Sequence, residues 1–189
     1  MRFNLLLLLF ISLVACRPKD QIQKEAVVDS IQPINDSLNA STTKAKIPSF
    51  NRVDESIDKL SAIGIGKMTE WKGAATEFTS FTPPFALGEK KMNNVAFVIE
   101  SADRNYITSF KVILNIGDPK ESRQALAKLK EIITKAFEAL GIQLPTPLPN
   151  AILNTKEVIV DGIDYGTSFK SDSTKVPTWT LRVTTRTTP

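Results

Sequence analysis

Hydrophobic and polar positions divide the chain into stretches of different character. Residues 5–16 are apolar apart from Ser12 and end at Cys16. A bilayer span needs about 20 apolar residues, so this run is too short to cross a membrane. Residues 17–48 reverse the pattern: polar residues dominate, apolar ones are scattered, and Pro18, Pro33 and Pro48 interrupt them. Such a segment cannot bury enough apolar area to offset its ordering entropy, which predicts a flexible tether reaching about 30 Å by random-coil scaling. A short amphipathic turn built on Ile22, Val27, Val28 and Ile31 is the alternative.

From residue 49 onward the pattern becomes that of a folded domain. Val53, Ile57 and Leu60 recur at helical spacing and predict a helix over 51–63, with Gly64 as its left-handed stop and Ile65 as the contact after it. Residues 67–81 read as one strand region weakened at Gly73-Ala74-Ala75, and Pro83-Pro84 break it. A long connection comes next, with Phe81, Phe85 and Leu87 turned inward. Strands are predicted over 95–100 and 106–116, joined by "SADRN" as an antiparallel hairpin; Tyr106, Thr108, Phe110, Val112, Leu114 and Ile116 alternate onto one face of the second.

A helix over 119–140 is the strongest element. Asp118 is placed as N-cap and Pro119 at the first helical position, and Glu121 approximates a capping box. Leu126, Leu129, Ile133, Ala136, Phe137 and Leu140 form its apolar stripe, and Gly141-Ile142 close it. "AIGI" and "ALGI" at the two helix ends reflect shared helix-end physics, since the residues after them differ completely. "QLPTPLPN" reads as an extended, stiff link back to the sheet, with a proline ligand for a partner groove as the other reading. Two strands complete the chain, over 156–170 with a bulge or turn at Asp161-Gly162, and over 178–186. In the last strand Trp179, Leu181 and Val183 face inward, while Thr180, Arg182, Thr184 and Arg186 face outward.

The expected fold is therefore α+β: a single antiparallel sheet of about five strands, one long amphipathic helix on a face, and a shorter N-terminal helix, all within 49–189. The element order resembles that of secretion-chaperone-like folds, a likeness shared by several α+β families that carries no functional weight.

Composition narrows the chemistry. A hydrophobic content of 42% suits a real core, and 23% charged residues is ordinary. The net charge of +4 is too dilute to argue for nucleic acid, so no nucleic-acid partner is expected. The sequence contains no His, which removes the commonest general base and metal ligand, and it has one Cys. No internal disulfide can form, no cofactor or metal is expected, and a hydrolase would have to rely on Ser, Lys or carboxylates.

That cysteine sits where it carries meaning. A basic Arg2, an apolar middle and a small Ala15 match the export-signal pattern, although Leu13 does not suit ordinary signal cleavage. Leu13-Val14-Ala15-Cys16 instead resembles the lipobox of bacterial lipoprotein precursors. The resemblance covers only the start of the chain, and it implies that residues 1–15 are a cleaved signal peptide. It further implies that Cys16 receives a diacylglyceryl group on its thiol and an acyl chain on its new amine. Residues 16–48 would then be a lipidated N-terminus and tether. Each buried lipid methylene contributes about 0.8 kcal/mol, and two or more chains anchor stably. Arg17 is not the Asp that retains lipoproteins in the inner membrane of enteric bacteria, so the outer membrane is the expected address, on either side of it.

The remaining motifs are weaker. Asp161 and Asp164 form a close carboxylate pair, but "DGIDYG" lacks calcium-loop spacing and Asp beside Gly is turn chemistry. "GIGK" at 64–67 lacks phosphate-loop spacing and comes after a helix instead of opening one. Asn35-Asp36-Ser37 and Asn39-Ala40-Ser41 match glycosylation sequons that a bacterial lipoprotein has no machinery to use. Arg182 and Arg186 point to one side of the last strand, where they suit an anionic glycan, lipid head group or acidic protein; equally, they keep an exposed edge soluble. The expectation is a non-catalytic binding module of the cell envelope, with no catalytic residue assigned and an envelope protein or glycan as partner. An inhibitor or immunity lipoprotein, and a hydrolase of Ser/Lys or carboxylate type, are the alternatives.

Overall fold

In the computed structural model, residues 43–188 are described, apart from 75, 173 and 174. In chain order, β1 (Lys44–Ala45) leads through a 3-10 turn to α1 (Val53–Ser61). Then come β2 (Lys72–Ala74), β3 (Glu77–Phe81), β4 (Phe85–Ala86), β5 (Asn93–Ser101) and β6 (Ser109–Ile116). A second 3-10 turn opens α2 (Ser122–Leu140), and α3 (Leu148–Leu153) comes after it. The chain ends in β7 (Val158–Asp161), β8 (Tyr165–Asp172), β9 (Thr178–Thr185) and β10 (Thr187–Thr188). Eight of these strands form one sheet in the order β2-β3-β5-β6-β9-β8-β7, with β4 also paired to β5; β1 and β10 make a separate two-stranded ribbon. Every pairing is antiparallel.

Strict alternation in β5 and β6 separates the two faces of the sheet. Val95, Phe97 and Ile99 stand opposite Leu114, Val112 and Phe110 and are buried together, with Phe97 and Phe110 in edge contact at 5.3 Å. Leu181, Val183 and Phe169 extend this face across β9 and β8. The stripe of α2 covers it, and α1 and α3 lie against α2. Leu126, Leu129, Ile133, Phe137 and Leu140 are all buried there, each stabilising the fold by about 1.5–3 kcal/mol relative to exposure.

The ends of α2 agree with the sequence in most respects. The Asp118 carboxylate accepts from the Lys120 N–H at 2.9 Å, and Pro119 takes the first position. Glu121 does not complete a capping box: its Oε2 is buried without a hydrogen bond beside Gly88, where an added Cβ would come within 2.2 Å of it. At the other end Gly141 is left-handed (φ +64°), and the Ile142 and Gly141 N–H groups donate to Phe137 O and Glu138 O, a Schellman ending. Helix α1 stops earlier than expected, at Ser61. The Ser61 hydroxyl donates to Ile57 O and accepts from Met68 N, closing the loop that contains Gly64 (φ +93°).

The expected α+β fold with a single five-stranded sheet is not what the chain adopts. The protein is mostly sheet, with ten strands in two sheets. Two segments read as single strands are hairpins. Residues 67–81 fold back as β2–β3, where the backbone of Gly73 passes so close to Glu77 O that a Cβ would lie 1.9 Å from it. Residues 156–170 fold back as β7–β8 around the turn closed by Gly162 N–H to Tyr165 O, the turn alternative at Asp161-Gly162. β4 forms inside the proline-broken connection, and β1 draws Ala45 into the core from the end of the segment read as tether. "QLPTPLPN" is not an extended link. Pro147 instead caps α3 and Pro149 sits in its first turn, where a proline is tolerated because the N–H has no acceptor in any case. Tyr106 and Thr108 lie before β6 and not within it. No helix among the described residues is long and apolar enough to cross a membrane. Residues 1–42, including Cys16 and the lipobox-like run, lie outside the described residues.

Candidate functional site

The helices cover one face of the sheet; the other face carries the side chains at the alternate positions of every strand. Register defines its rows. Phe81, Val98, Lys111, Arg182, Ser168 and Ile159 lie in one line across β3, β5, β6, β9, β8 and β7. Phe81, expected to turn inward, is exposed in this row. A second row brings Asn94, Asn115 and Thr178 together, with Asn115 donating to Asn94 Oδ1 (3.0 Å) and accepting from the Thr178 hydroxyl (2.9 Å).

The centre of this face is cationic. Lys111 and Arg182 are directly opposite across β6 and β9, and Lys170 is opposite Thr180, one step along β8. Like charges directly across a ladder are destabilising, so each cation needs a counter-charge or open water. The Lys111 ammonium bonds Glu100 at 2.5 Å and is only 15% exposed. Asp172 accepts from the Thr180 hydroxyl at 2.8 Å. Arg182 and Lys170 have no ion pair among the described residues. A depression of about 460 Å³ lies over this group, lined by Lys111, Lys170, Arg182, Ser168, Thr180 and Asp172 among others. Arg182 also borders an adjacent one of about 200 Å³ toward β7. Its guanidinium is thus exposed on a rigid strand whose neighbours Leu181 and Val183 are fully buried.

Arg186 has a different situation from Arg182. Its Nε donates to Gly162 O at 3.1 Å, its backbone N–H donates to Asp164 O at 2.8 Å, and its guanidinium is 3.9 Å from Asp161. Arg186 therefore fastens the β7–β8 turn, and the structure does not bring it together with Arg182 as one ion-binding pair. Asp161 and Asp164 belong to the same turn. Among the described residues no group of three or more acidic, His or Cys side chains is placed to hold a metal ion.

Sequence reasoning does not single out Lys111 or Lys170 as site residues. Alternation alone puts Lys111 on the outward face of its strand, but nothing local says that Arg182 will stand opposite it. The two residues are separated by α2, α3 and two strands, and only the β6–β9 register joins them. No family model matches the chain, and no curated protein or solved structure matches it.

Proposed function

We propose that this chain is a non-catalytic binding module of the bacterial cell envelope. It is held at a membrane by lipid on Cys16, and it meets an anionic envelope component, protein or glycan, through the open face of its sheet. The observation that carries the reading is the direct opposition of Lys111 and Arg182, with Lys170 beside them. Glu100 answers Lys111, whereas Arg182 has no carboxylate partner among the described residues. A carboxylate, sulfate or phosphate arriving at Arg182 would relieve the repulsion and accept two parallel hydrogen bonds from the guanidinium fork. The Ser168 hydroxyl in the same depression supplies a further hydrogen-bonding group. The anchor rests on Leu13-Val14-Ala15-Cys16 and its resemblance to a lipobox.

In-cell crosslinking of the tagged full chain tests both parts. The wild type should capture an envelope component that the Arg182→Glu, Lys170→Glu variant fails to capture. Cys16→Ala should lose palmitate labelling and accumulate as uncleaved precursor. Capture that is unchanged in the charge-reversed variant would discard the open face, and labelling that persists without Cys16 would discard the anchor.

A further inference from the structure

We propose that the cleft beside α1 is a separate binding site for a neutral saccharide. The cleft encloses about 840 Å³ between α1, residues 67–71 and residues 104–105. That lies within the range of about 300–1,000 Å³ usual for ligand pockets.

Trp71 forms its aromatic wall. Phe78, which does not line the cleft, stacks on the indole at 5.9 Å with 26° between the rings. The indole N–H donates to Arg104 O at 3.0 Å. The ring is therefore held on one face and at its edge before any ligand arrives, and little side-chain freedom remains to be lost on binding. A fixed indole face carries the negative side of an aromatic quadrupole. The C–H groups on one side of a pyranose ring present the matching flat, weakly positive surface.

The polar groups around the ring are of mixed charge. Glu55 is held by Arg52 at 2.8 Å and Lys59 at 2.7 Å, and Glu70 by Lys72 at 2.7 Å. Asp54, Asp58, Lys67 and Arg104 also line the cleft and form no ion pair among the described residues. These two acids and two bases cancel, and Arg52 and Lys59, two cations on the one Glu55 carboxylate, leave a single excess positive charge beside α1. An anion drawn to Lys67 and Arg104 is opposed by Asp54 and Asp58, and a cation drawn to the carboxylates is opposed by the two bases. A neutral polyhydroxyl ring gains at both, because each hydroxyl donates to a carboxylate and accepts from an ammonium, a guanidinium or the Asn105 amide. Aromatic platform and mixed donors and acceptors together describe a saccharide. The inference is independent of the open sheet face, since Arg182 lies outside this cleft.

Titration of the full chain with chitohexaose, cellohexaose and maltohexaose, monitored by tryptophan fluorescence, tests it. Polygalacturonate and spermine serve as charged controls. At least one neutral oligosaccharide should give a saturable change in emission. Asp54→Asn, Asp58→Asn should weaken it at least tenfold with an unchanged circular dichroism spectrum, because both side chains are exposed on α1 and make no ion pair among the described residues. Arg182→Glu should leave the titration unaltered. The proposal is overturned if none of the three sugars gives a saturable change, if only a charged control does, or if binding survives the double substitution.

Discussion

Asn93, Asp118 and Lys90 tie the start of β5 to the start of α2. Asn93 is fully buried; its amide donates to Asp118 O at 3.2 Å and its carbonyl accepts from Asp118 N at 2.9 Å. The Lys90 ammonium closes the group on the Asp118 carboxylate at 2.9 Å. That hydrogen bond from Lys90, and then the one from the Lys120 N–H, hold the Asp118 carboxyl below its ordinary range, outweighing the opposing effect of burial. The same bond raises Lys90 above the ordinary lysine value of 10.5. The signs define a window. The Asp118 contribution is fully present above the ordinary carboxylate range and is lost as pH falls through the lowered folded value. The Lys90 contribution is present below the unfolded lysine value and is lost as pH rises through the raised folded one. Asp118→Asn keeps the amide-oxygen acceptor for Lys120 and loses the ion pair. It should flatten the acid limb of a thermal-melting profile recorded from pH 7 to pH 2, and an acid limb as steep as that of the wild type would show that Asp118 does not contribute to it.

At the scale of elements, the parts legible in the sequence are those set by local physics. Helix α2 spans nearly the expected residues, because its stripe, its Asp118-Pro119 start and its Gly141 stop all act within a few residues. Gly141 also allows a clean test: it is left-handed, and an added Cβ meets nothing within 4 Å. Gly141→Ala therefore loses conformational preference alone, about 1–2 kcal/mol, measurable by urea denaturation; a cost below about 0.5 kcal/mol, no more than an ordinary surface substitution, would mean that the helix ends by another device. The misread elements depend on contacts from elsewhere. A strand-forming run such as 67–81 does not state locally whether it continues or folds back, and the β2–β3 hairpin is decided by β3 pairing along β5. Three alternate prolines suggest extension by their fixed φ, yet Leu148, Ala151 and Ile152 are buried in α3, and that burial favours the turn of helix.

For the molecule as a whole, the described residues layer the sheet on one side, and its strands differ in how many neighbours hold them. β5, β6 and β9 are paired on both sides, while β2 and β7 end the order. β7 is also short, with Ile159 61% exposed, and contacts little besides β8. Amide hydrogen exchange should therefore be slowest in β5, β6 and β9, approaching the limit set by global unfolding, and faster in β2 and β7 through local fraying. Exchange in β7 as slow as in β6 would mean that its free edge is covered in solution.

Hydrophobic alternation, caps and composition by themselves determined α2, the central strands, and which side of β6 and β9 faces the core; they also showed that the sequence has no His and that Arg182 points outward. These features arise from periods of two and 3.6 residues and from end signals, which act over a few positions. Only the tertiary structure decided that the sheet has eight strands, that Lys111 stands opposite Arg182, that Arg186 is tied to the β7–β8 turn, and that Trp71 meets Asp54, Asp58 and Arg104 around one cleft. Strand order and register are set by pairing between distant segments and by the burial of one shared face against α2. A short stretch of sequence carries no record of its partner across the sheet.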